Sequence, residues 1–63
     1  MTQKELLYFE DAVWHEDSII KILTNSIDNL DDEELINFMQ NEVEKHSRLK
    51  QELMDMLGEK NNG

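Results

Sequence analysis

Sixty-three residues allow one small domain, and a chain this short buries only about 60% of its extended surface on folding. Six basic residues stand against 15 acidic ones, a net charge of −9 that repels phosphate backbones and anionic bilayers alike and argues against nucleic-acid or membrane partners. With no cysteine there is no disulfide and no thiolate metal knot, so stability has to come from helix packing or association. No apolar run approaches the roughly 20 residues of a membrane span. The opening Met-Thr-Gln-Lys-Glu lacks the basic and apolar stretches of a signal peptide. The expectation is a soluble, intracellular, acidic helical protein.

Proline is absent and the glycines are Gly58 and Gly63, so only the polar cluster from Ser26 to Asp32 punctuates the chain. Thr2-Gln3-Lys4-Glu5 reads as a capping box that opens a first helix over about 3–28. Asp31-Asp32-Glu33-Glu34 repeats that logic, with Asp31 as N-cap, Glu34 at the third helical position, and Leu30 and Leu35 as a hydrophobic staple. The acidic run also suits the positive end of a helix dipole. A second helix follows over about 32–57, closed by Gly58 as a left-handed cap, with 58–63 as a polar tail. Each helix is expected to be roughly 39 Å long. A three-residue connection makes them neighbours, so the predicted fold is an all-α, antiparallel two-helix hairpin.

Leu6, Phe9, Val13, Glu16, Ile20, Leu23, Ile27 and Leu30 recur at spacings of 3 and 4, an unbroken heptad seam with one polar member. Tyr8, Ala12, His15, Ile19 and Ile22 widen that face beyond what one partner helix covers. The second helix carries two seams. One holds Leu35, Met39, Glu42, His46, Leu49, Leu53 and Met56; the other holds Ile36, Met39, Val43, His46, Lys50, Leu53 and Leu57. Two wide faces on one hairpin predict a homodimer closing into a four-helix bundle, with a tetramer or another protein as competing partners. The predicted core is Leu6, Phe9, Val13, Ile20, Leu23, Ile27, Met39, Val43, Leu49, Leu53 and Leu57. Trp14 is expected to pack at a helix edge, with an exposed anchor as the other reading. Met39, Met54 and Met56 read as core filler.

The polar interruptions carry the chemical information. In a hairpin turning near residue 30, Glu16 and His46 fall at nearly the same height, and Glu42, four residues before His46, reaches the same patch. Three readings stay open for them. They form a buried hydrogen-bonded pair that fixes register; or two protomers gather Glu16, His46 and Glu42 around a divalent metal, as in di-iron bundles; or both groups sit wet at a rim. The metal reading lacks one part, because the Glu-x-x-His pattern would put a carboxylate where Val43 stands. No Cys nucleophile, glycine-rich phosphate loop or HExxH is present, and Ser18, Ser26 and Ser47 lack a base-and-orienter arrangement, so no enzymatic activity and no organic cofactor is expected.

Lys4-Glu5-Leu6-Leu7-Tyr8, Glu10-Asp11-Ala12 and His15-Glu16, with Glu34-Leu35 through His46 in the second helix, resemble the small Coat F-like spore coat proteins of spore-forming bacteria. The resemblance runs from about residue 4 to residue 57. It departs at Trp14, where that family commonly has a small residue before His-Glu. It implies a short ferritin-type hairpin with a structural or assembly role in a spore coat, alongside other coat proteins. Two rival functions remain on the residues alone: a ferritin-like metal-binding bundle, and an acidic regulatory adaptor that offers its apolar face to another protein.

Overall fold

A computed structural model describes residues 1–62, with side chains described through residue 59. Two helices make up the fold: α1 (Gln3–Ile27, 25 residues) and α2 (Glu33–Asn62, 30 residues). They pack side by side in a rod of 47 × 15 × 11 Å, and no strand occurs among the described residues. Neither helix is long and apolar enough to cross a membrane among the described residues.

The start of α1 is the expected capping box. The Thr2 hydroxyl accepts from the Glu5 N–H at 3.1 Å, and the Glu5 carboxylate accepts from the Thr2 N–H at 2.9 Å. At its other end α1 tightens, with the Asn29 N–H donating to the Ser26 carbonyl at 3.1 Å and the Leu30 N–H to the Ile27 carbonyl at 3.2 Å. These i→i−3 bonds satisfy carbonyls that the last α-turn leaves open. The chain reverses without a positive φ at any residue.

The entry to α2 corrects the expected frame by one residue. Asp32, not Asp31, is the N-cap: its carboxylate accepts from the Glu34 and Leu35 N–H groups at 3.0 and 3.2 Å. Glu34 is therefore the second helical residue, and Leu30 and Leu35 no longer occupy the staple positions. An Asp at either place could cap a helix by sequence; the bonds that the Asp32 carboxylate accepts from the second and third helical N–H groups identify it as the cap.

The far end of α2 also departs from expectation. The helix runs through Gly58 to Asn62, and no glycine among the described residues has the positive φ of a left-handed cap. A single glycine costs a helix about 1 kcal/mol, too little to stop it when the good helix formers Glu59 and Lys60 follow. The expected tail is thus helical as far as it is described; Gly63 lies outside the described residues.

Between the helices, α2 uses its second seam. Ile36, Met39, Val43, His46, Lys50, Leu53 and Leu57 are half-buried, as are Leu6, Phe9, Val13, Ile20, Leu23 and Ile27 on α1. Leu49 is the exception among the predicted core: it is exposed, with Leu35 and Met56 from the same alternative seam. Leu49 stands three residues after His46, which turns it about 60° away from the interhelical line. No apolar side chain among the described residues is fully buried. One layer of helix on helix shelters only a stripe of each.

Candidate functional site

The one buried residue of the described chain is a carboxylate. Glu16 is 9% exposed, at the middle of the α1 seam. His46 comes to it from the middle of the α2 seam, with Nδ1 2.5 Å from Glu16 Oε2. An ionised carboxylate only accepts, so Nδ1 carries the proton of this bond. The other ring nitrogen faces Glu42, Nε2 lying 3.8 Å from Oε2, and the second carboxylate oxygen of Glu42 meets Lys45 Nζ at 3.5 Å. The three residues singled out in the sequence are brought together as a row, Glu16–His46–Glu42, with Lys45 at its wet end.

Local structure explains the row. Glu42 and His46 are one helical turn apart on α2, which stacks their side chains on one face. Glu16 arrives from α1 because the hairpin brings these heights together. Burial decreases along it: side-chain exposure is 11% at Glu16, 25% at His46 and 26% at Glu42. The imidazole thereby compensates the carboxylate that has lost most water, while its own outer edge keeps some.

This geometry is that of a hydrogen-bonded row rather than of a coordination shell. Glu16 and Glu42 approach opposite nitrogens of one ring, so no single point lies within ligand distance of all three groups. Among the described residues no set of three or more His, Asp or Glu side chains could hold a metal ion. Within one hairpin Glu16, His46 and Glu42 do not converge on a cation; the expected divalent-metal set draws them from two protomers. What the row can do is hold one proton between carboxylate and ring, and hold the two helices at one height.

A neighbouring contact was not read from the sequence. Lys50 Nζ lies 2.7 Å from Asp17 Oδ1, a second cross-helix ion pair one residue beyond Glu16 and one turn beyond His46. Its signal was the lysine standing inside an otherwise apolar seam, where a long stem can lie along the partner helix and still deliver its charge to water. The remaining candidates lie elsewhere. Ser18 and Ser26 donate to the Trp14 and Ile22 carbonyls at 3.1 and 2.8 Å, and Thr24 donates to the Ile20 carbonyl. These are back-bonds within α1 that account for the hydroxyls locally. His15 is exposed at the edge of the face. Trp14 is 64% exposed and does not pack between the helices, because its position points away from α2. Compared with protein-family models, curated proteins and solved structures, the chain has no significant match.

Proposed function

We propose that this chain is a non-enzymatic structural and assembly protein whose working unit is a homodimer, two hairpins closed into a four-helix bundle. The observation that carries this reading is the absence of any fully buried apolar side chain among the described residues, in a hairpin that leaves Tyr8, Ile22 and Phe38 each at least 60% exposed. Chains of this size without disulfides usually complete their core by association. The buried Glu16–His46 pair suits the same role, since a polar contact in an apolar seam selects one helix alignment over its neighbours. The resemblance to Coat F-like proteins gives the proposal its setting, a building unit in the coat of a dormant spore.

Sedimentation equilibrium tests the unit. A homodimer has twice the 7.5 kDa chain mass at low micromolar concentration. A folded monomer at 100-fold higher concentration would overturn the proposal in favour of an adaptor that presents its apolar face to another protein. Immunoblotting of the coat fraction of purified host spores tests the setting: a signal confined to vegetative cytosol removes it.

A further inference from the structure

Of the ten exposed large apolar side chains among the described residues, five share one side of the rod, while Leu7 and Trp14 lie on the outer side of α1 and Met54 on the opposite side of α2. Take Glu16 and His46 as the facing positions of their helices. In an antiparallel pair of right-handed helices, the residues four before and three after the facing position turn to the same side of the hairpin in both. On α1 these are Ala12 and Ile19; on α2 they are Glu42 and Leu49. Eight residues before the facing positions, further out on the same side, stand Tyr8 and Phe38. Ile22 and Met56 continue the strip. Tyr8, Ile22, Phe38, Leu49 and Met56 are 62, 65, 60, 42 and 43% exposed. Two contacts check the geometry. Tyr8 and Ala12 of this side line one open groove of about 230 Å³ with the seam residues Phe9 and Leu53. Asp17 and Lys50, which turn to the other side, meet each other there at 2.7 Å.

Because this strip alone runs across both helices, we infer that the Tyr8–Ile22–Phe38–Leu49–Met56 side of the hairpin is the surface on which a second copy of the chain docks. The inference rests on the homodimer reading above and says which face makes it. Two further observations select a second copy as the occupant. The first is area. A compact monomer of 7.5 kDa exposes about 4,250 Å² by the usual scaling. This chain exposes 5041 Å², a surplus of about 800 Å², which is what each partner of a standard-size interface contributes. The second is charge. The chain carries −9, which opposes self-association through most of its surface. This strip is different: its central carboxylate, Glu42, lies 3.5 Å from Lys45 and 3.8 Å from His46. Helical spacing puts Lys4 and Lys45 on this side with Glu34, Glu42 and Glu52, an excess of one negative charge against −9 for the whole chain, so this surface opposes its own copy far less than the rest does.

The test is sedimentation equilibrium on the full chain and three variants. Ile22→Lys and Phe38→Lys change side chains that the lone hairpin leaves in water, and each reduces the net negative charge, so added repulsion cannot explain their effect. Each should raise the dimer dissociation constant by at least about 100-fold, because two copies of the apolar side chain are lost from one interface. Trp14→Lys, equally exposed at 64% but on the outer side of α1, should leave dimerisation within about threefold of wild type. If the lysine variants unfold, nuclear Overhauser effects between isotope-labelled and unlabelled wild-type chains decide. Intermolecular contacts from the Tyr8 and Phe38 rings to Ile19, Ile22 or Leu49 methyls support the assignment. Contacts confined to Trp14 or Leu7 overturn it. A wild-type dimer whose affinity ignores Ile22→Lys and Phe38→Lys refutes this face and leaves the homodimer standing; a monomeric wild type refutes both.

Discussion

Exchanging either member of the Glu16–His46 pair for leucine should have unequal consequences. In Glu16→Leu, a side chain at 9% exposure becomes apolar and gains about 2 kcal/mol of burial, while one charge-assisted hydrogen bond worth about 1.5–3 kcal/mol is lost. The stranded imidazole keeps a quarter of its surface in water and still faces Glu42. The net change should fall within about 1 kcal/mol of zero. In His46→Leu the apolar gain is similar, but the stranded group is a carboxylate with 11% side-chain exposure and no other side-chain partner among the described residues. Removing one member of a buried pair costs about 3–5 kcal/mol. The two variants should therefore differ by about 3 kcal/mol, or roughly 12–24 °C in Tm for a domain of this size. Thermal melts followed by circular dichroism at pH 7, at one fixed protein concentration and in metal-free buffer, read the difference. Equal Tm values, or Glu16→Leu as the worse variant, would refute the account of the pair as a buried carboxylate supported by a half-buried histidine.

Other contacts give smaller, separable effects. Asp32→Ala should cost about 1 kcal/mol through loss of the α2 N-cap, and Asp31→Ala close to nothing; a urea titration that reverses the order would restore the other cap frame. Gly58→Ala should stabilise by about 0.5–1 kcal/mol, since Gly58 is helical and a Cβ there meets nothing within 4 Å. A lower Tm for that variant would instead point to a left-handed cap. Lys50→Met should cost less than about 1 kcal/mol and lose its effect in 1 M salt, because the Asp17 and Lys50 side chains are 41 and 32% exposed. A salt-independent loss above 2 kcal/mol would mean that the pair is sequestered by a partner.

The hairpin and its central pair were legible because each depends on spacing along one chain. The 3,4 recurrence from Leu6 to Leu30 and the lone polar members of two seams fix which residues meet once the turn is placed. What could not be read were features decided by about 1 kcal/mol or by three-dimensional side. Adjacent aspartates offer equivalent N-caps, so the choice between Asp31 and Asp32 depended on backbone geometry. Gly58 breaks a helix only if another contact rewards the turn, and periodicity does not report that. Leu49 belongs to a seam as regular as the one that faces α1; two overlapping seams that share Met39, His46 and Leu53 leave the rotation of α2 undetermined by about 60°. Trp14 was misplaced for a related reason: its size suggests burial, whereas its position on α1 turns it outward.

That rotational ambiguity shows what the Glu16–His46 contact contributes. Apolar seams of Ile, Leu and Met accept many alignments, because one heptad of sliding replaces each apolar residue by another. A slip by seven residues along α2 would set Glu16 against Met39 or Leu53, and His46 against Phe9 or Leu23. Each alternative leaves a carboxylate in an apolar groove with no partner, a penalty of several kcal/mol against a net worth near zero for the pair itself. The contact thus acts less by stabilising the native alignment than by making its neighbours unfavourable. Fixing the rotation of α2 also decides which seam is left outside. With His46 turned to Glu16, Leu49 and Phe38 fall on the same side as Ile19, Ile22 and Tyr8. A polar pair between the helices therefore determines where the apolar surface of the hairpin lies.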